Sequence, residues 1–143
     1  AQQAPVTETG RLLVMDDEQY IRDLAVRILS KHGFEVEEAP DGAQAVTMYR
    51  QAQSDGKPYR AVILDLTVPG GPGGEETVAR LRRLDPGVRA IVCSGYSNDP
   101  IVARYREFGF VGTVAKPYKP SELIESVREA LVANPPQPTL TGK

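Results

Sequence analysis

Short apolar runs alternate along this chain with segments of helical period. The runs are LLVM (12–15), FEVEEA (34–39), AVIL (61–64), AIVC (90–93) and VGTVA (111–115). Between the first two, Ile21, Leu24, Ala25, Ile28 and Leu29 fall at i, i+3, i+4, i+7 and i+8, which is one face of a helix. Ala45, Val46, Tyr49 and Ala52 share a second face, and Val78, Leu81 and Leu84 a third. Ile101, Val102, Tyr105 and Phe108 predict a fourth helix; Leu123, Ile124, Val127, Ala130 and Leu131 predict a fifth. The punctuation agrees. Gly33 suits the end of the first helix, Asp85-Pro86-Gly87 stops the third, and Pro100 and Pro120 suit first-turn positions, where the missing N–H costs nothing. Five strand–helix units of this size predict an α/β fold, a doubly wound parallel sheet with helices on both faces. The alternating FEVEEA reads as an edge strand. The first, third and fourth runs are continuously apolar, as strands covered on both faces are.

The ends lack this period. AQQAPVTETG (1–10) and NPPQPTLTGK (134–143) read as linker or tail, and the folded domain is expected over 11–133. The 143 residues suffice for one domain with a core and not for two. A formal net charge of −2 argues against a general nucleic-acid binder. The basic run RLRRLDPGVR (80–89) reads as a solvated helix face. Cys93 is the single cysteine, so an internal disulfide is excluded, and within AIVCS it reads as a small buried hydrophobe. No apolar run approaches the ~18 residues of a membrane span, and no signal peptide is visible. A cytoplasmic setting is expected, with no membrane contact by this domain. His32, beside Gly33, suits the C-terminal end of the first helix as a solvated side chain.

In parallel α/β sheets ligands bind beyond the carboxyl ends of the strands. That rule selects Asp16 and Asp17 after the first strand, Asp65 at the end of the third, Ser94-Gly95 after the fourth and Lys116-Pro117 after the fifth. Two carboxylates about 4 Å apart repel by roughly 4 kcal/mol at an effective dielectric of ~20. Such a cluster holds together around a cation. Oxygen ligands without His or Cys select Mg²⁺ or Mn²⁺ over zinc. A carboxylate surrounded by a metal, a hydroxyl and a lysine suits phosphoryl transfer, with Asp65 as the nucleophile.

The motifs VMDDE, VILDLTVPG, VCSGY and VAKPY, in this order over about 120 residues, resemble the response-regulator receiver domain of two-component signalling. The resemblance implies a flavodoxin-like (βα)5 fold with strand order 2-1-3-4-5. It implies that Asp65 accepts phosphate from a histidine kinase or a histidine phosphotransfer domain. Asp17 would bind Mg²⁺ directly, Asp16 mainly through water, and the backbone carbonyl of Thr67 would add a ligand. Ser94 would contact a phosphoryl oxygen, Lys116 would pair with the phosphate, and Lys116-Pro117 would be a cis peptide. Thr67 and Tyr96 stand where the family tunes the lifetime of the phosphate. Thr67 offers no carboxylate or amide to orient water, and Tyr96 is large enough to screen the site, so slow self-hydrolysis is expected. On phosphorylation, the surface from the helix near Pro100 across the fifth strand to the last helix, including the edges of Tyr105 and Phe108, is expected to change.

The chain also departs from the family. Thr113 stands three positions before the lysine, where many members carry an aromatic; neither Tyr96 nor Tyr118 matches that position. The loop after Asp65 reads PGGPGG, a flexible turn rather than a phosphate cradle, because no GK[ST] follows. Two other classes compete. A phosphatase of the haloacid dehalogenase type also uses an aspartyl nucleophile, but needs a second Asp where this chain has Thr67. A degenerate receiver that only docks usually lacks the acid pair or the lysine, and both are present. The phrases around the motifs look most like receivers of hybrid sensor histidine kinases, with a stand-alone regulator as the alternative.

Overall fold

A computed structural model describes residues 10–66, 68, 73–95 and 99–134. The strands are β1 (Gly10–Met15), β2 (Phe34–Ala39), β3 (Ala61–Asp65), β4 (Ala90–Ser94) and β5 (Gly112–Ala115). The helices are α1 (Gln19–Lys31), α2 (Gly42–Ser54), α3 (Gly74–Leu84), α4 (Pro100–Ala103) and α5 (Pro120–Val132). All strand pairs are parallel, in the order β2-β1-β3-β4-β5. This is the doubly wound, flavodoxin-like order, with β2 at an edge as its alternation predicts.

Because side chains alternate across each strand, the central strands feed two cores. Leu12, Val14, Ile63, Ile91 and Cys93 face α1 and α5. Leu13, Met15, Val62, Leu64 and Val92 face α2 and α3. Phe110, just before β5, is fully buried in the second core. The helix ends follow local chemistry. Asp41 Oδ1 caps α2 by accepting from Gln44 N at 2.8 Å, and Asp99 Oδ1 caps α4 by accepting from Ile101 N at 2.8 Å. Gly33, with φ of +96°, follows α1 in the left-handed conformation. α3 stops at Leu84, before the Asp85-Pro86-Gly87 turn.

The fourth helix differs from the continuous one that its period predicts. It ends at Ala103, and Arg104 (φ −124°, ψ 42°) leaves the helical region. A 3-10 turn, Tyr105–Phe108, follows and is closed by Gly109 at φ +102°. The reason is the destination of the chain, since the break delivers Phe110 into the core. Ile101, Val102, Tyr105 and Phe108 still pack against that core, so one apolar stripe is shared by two short elements.

Deleting the Phe110 ring should cost about 3–5 kcal/mol. Urea denaturation of Phe110→Ala is expected to show a lowered midpoint with an unchanged slope.

Candidate functional site

The carboxyl ends of the strands form one rim, and the backbone ladder continues just beyond them. Asp16 N donates to Ala39 O at 3.1 Å, Leu66 N to Cys93 O at 2.9 Å, and Lys116 N to Ser94 O at 3.1 Å. These bonds tie β1 to β2 and join β3, β4 and β5, while the ladder pairing Met15 with Leu64 joins the two groups, so the side chains there are placed by rigid backbone. Asp65 ends β3 and Ser94 ends β4; Asp16 follows β1 and Lys116 follows β5.

Three of these side chains meet. Lys116 Nζ donates to Asp16 Oδ2 at 3.0 Å and to Asp65 Oδ1 at 3.2 Å. Both carboxylates are buried, Asp16 at 0% and Asp65 at 3% exposed. Asp16 Oδ1 also accepts from Glu18 N at 2.9 Å, and its main-chain oxygen accepts from Arg22 Nη1 at 2.6 Å. Ser94 is buried at the same rim. Gly95 is exposed, and a Cβ there would meet nothing within 4 Å. The Lys116-Pro117 peptide is cis.

The charges do not balance. Burial, then the neighbouring charge of Asp16, push the Asp65 carboxyl up from near 3.8 to about 6; Lys116 opposes this and Asp17 adds to it. Burial pulls the Lys116 ammonium down, but the hydrogen bond to Asp16 and the charge of Asp65 outweigh it, and the net displacement is upward. Lys116 therefore stays charged. Against Asp16, Asp17 and Asp65, one ammonium leaves two negative charges uncompensated.

Cys93 lies beside Asp65 in the β3–β4 register. Its Sγ and oxygens of Asp16 and Asp65 all lie within 4.8 Å of one another. Burial pushes the thiol up to about 12, and Tyr118 Oη donates to the sulfur at 3.2 Å. The sulfur is thus a neutral wall of the site. The remaining donors are carboxylate oxygens carrying excess negative charge, and they fit a hard divalent cation. Asp17 is exposed and stands outside the Asp16–Asp65–Cys93 group, though near enough to act on Asp65 through space.

The sequence-predicted Asp16, Asp65 and Lys116 are brought into contact; Ser94 and Asp17 lie at the same rim. Thr67, Tyr96 and Pro69 to Pro72 of the glycine-rich loop lie outside the described residues. Thr113 holds β5 to α5, its carbonyl accepting from Ser126 Oγ at 3.0 Å. Two parts of the site escaped the sequence reading. One is the Cys93–Tyr118 pair; the other is Arg22, six residues beyond Asp16 and one position off the apolar stripe of α1. Among the described residues, no helix is long and apolar enough to cross a membrane.

The fold and this rim define a class, and residues 12–128 match the family model of the response regulator receiver domain. The chain belongs to that family. It is 34% identical over 132 residues to the DNA-binding response regulator MtrA of Mycolicibacterium smegmatis, covering 92% of this chain and 55% of that protein. It is 29% identical over 120 residues to the chemotaxis protein CheY of Thermotoga maritima, covering 83% of this chain and 95% of that one. Among solved structures, a LuxR-family two-component response regulator from Aurantimonas sp. SI85-9A1 superposes with a TM-score of 0.78 at 28% identity, covering 89% of this chain and 88% of that chain. The chain therefore spans about half the length of the MtrA protein and nearly all of the CheY protein.

A carboxyl group with a raised pKa in the folded state stabilises the protein below its unfolded value. That stability is lost as pH rises through the folded value. For Asp65 the window runs from near 3.8 to about 6. Across it, wild type should lose roughly 3 kcal/mol that Asp65→Asn keeps. Without metal, Asp65→Asn should melt higher than wild type at pH 7, with the gap closing towards pH 4. Thermal melts over this pH range check it.

Proposed function

We propose that this receiver takes a phosphoryl group from a phosphohistidine onto Asp65, and that the acyl phosphate switches a partner surface. The observation that carries this is the placement of Asp65, a buried carboxylate at the end of the central strand whose Oδ1 lies 3.2 Å from the Lys116 ammonium. An oxygen of Asp65 attacks phosphorus, the phosphorus–nitrogen bond breaks, and its electron pair returns to the imidazole of the donor. Negative charge spreads over the phosphoryl oxygens in the transition state. Lys116 faces that charge, and Ser94 offers a hydroxyl donor from the end of β4. Mg²⁺ held by Asp16, Asp17, Asp65 and the Thr67 carbonyl would supply further neutralisation of those oxygens. The donor is a histidine kinase or a histidine phosphotransfer domain, which places the domain in the cytoplasm.

The added phosphate carries about −1.5 to −2 charges. Movement of Ser94 and Lys116 towards it would pass to α4, β5 and α5, the region proposed to change shape. The motif phrases support a place in a hybrid sensor histidine kinase. The alternative reading is a stand-alone response regulator. DNA binding is named for the MtrA relative; this chain is proposed to act without nucleic acid.

Incubation with Mg²⁺ and acetyl phosphate should give one lasting acid-labile phosphate per chain, absent from Asp65→Asn and much reduced in Lys116→Met. Turnover of many equivalents would point instead to a phosphatase. No labelling at all would point to a docking module.

A further inference from the structure

We infer that Arg22 is a positioning residue for the metal-binding turn, fixing the peptide that joins Asp16 to Asp17. This rests on the reading of the site given above and adds a residue to it. Asp16 is held at each of its polar atoms. Its N–H donates to Ala39 O at 3.1 Å, Oδ1 accepts from Glu18 N at 2.9 Å, and Oδ2 accepts from Lys116 at 3.0 Å. The remaining polar atom, the main-chain oxygen, accepts from Arg22 Nη1 at 2.6 Å. That carbonyl belongs to the Asp16–Asp17 peptide, so its direction sets where the Asp17 backbone begins. Asp17 is exposed, and its own side chain gives the turn no buried anchor.

Arg22 is itself fixed. Its Nε donates to Glu38 Oε1 at 3.1 Å, and its side chain is 12% exposed. Glu38 lies on β2 opposite Val14 of β1, one residue before the Ala39 that receives the Asp16 N–H. One guanidinium thus bridges α1, the end of β2 and the turn after β1. The planar fork lets separate nitrogens serve the carbonyl and the carboxylate at once; a lysine has one nitrogen for both. Groups that orient metal ligands from outside typically change affinity by 10–100-fold when removed.

Charge and position make opposite predictions here. Arg22 is a cation close to a site proposed for a cation, so on charge alone its removal should tighten Mg²⁺ binding. If it positions the turn, removal weakens binding. The experiment is a Mg²⁺ titration of the whole chain by calorimetry and amide shifts, for wild type, Arg22→Met and Arg22→Lys, with metal-free melting recorded for each. Arg22→Met should weaken Mg²⁺ about tenfold. Arg22→Lys keeps the charge and serves as the second variant should Arg22→Met not fold; it should also weaken binding, by a smaller factor. A lowered melting temperature with Mg²⁺ affinity equal to or tighter than wild type in the folded variants would show a purely structural role and overturn the inference. Failure of wild type itself to bind Mg²⁺ would overturn the metal reading and this inference together, while wild-type binding with unaffected variants overturns this inference alone.

Discussion

Lys116 Nζ lies 3.0 Å from Asp16 and 3.2 Å from Asp65, and the rest of the rim is arranged around that shared cation. The two carboxylates come from residues 49 positions apart and are both buried. Burial makes each charge costly, and proximity makes the pair more so. One ammonium stabilises the pair without neutralising it. Burial first, and then that uncompensated charge, keep Asp65 protonated to an unusually high pH, and the same charge makes the cluster receptive to a divalent cation. A fully neutral, fully bonded site would be more stable and would have less use for a metal or a phosphate.

Such a cluster holds only if the backbone beneath it cannot relax. The parallel ladders run to the last residue of β3 and β4, and single hydrogen bonds extend them past β1, β3 and β5. Gly74, the first residue of α3, sits so close that a Cβ would lie 2.9 Å from the Asp65 carbonyl oxygen. Tyr118, buried after the cis Lys116-Pro117 peptide, ties its loop to Cys93 beside Asp65. Arg22 and Glu38 brace the remaining side. Each of these contacts limits the freedom of a charged group, which is how a fold keeps like charges together.

Much of this was legible in the sequence because it depends on short-range pattern. Continuous apolar runs marked β1, β3 and β4, the alternation of FEVEEA marked β2 as an edge, and Asp16, Asp65 and Lys116 each ended or followed a run. What escaped depends on the third dimension. The period of Ile101, Val102, Tyr105 and Phe108 correctly named one buried stripe, but the break at Arg104 comes from the need to bury Phe110, which no local pattern encodes. Cys93 is the buried hydrophobe that its surroundings predict, but nothing local announces that its neighbour across the ladder is Asp65. Arg22 resembles any polar residue of an amphipathic helix until the end of β1 is folded beneath it.

Asp65 is held buried, in a cluster with too little positive charge to offset that burial. The most direct measurement is the titration of its side-chain carboxyl carbon by NMR in metal-free buffer. The account predicts a midpoint of about 6. A midpoint at or below the ordinary value near 3.8 would contradict it, because Lys116 alone would then be neutralising the site.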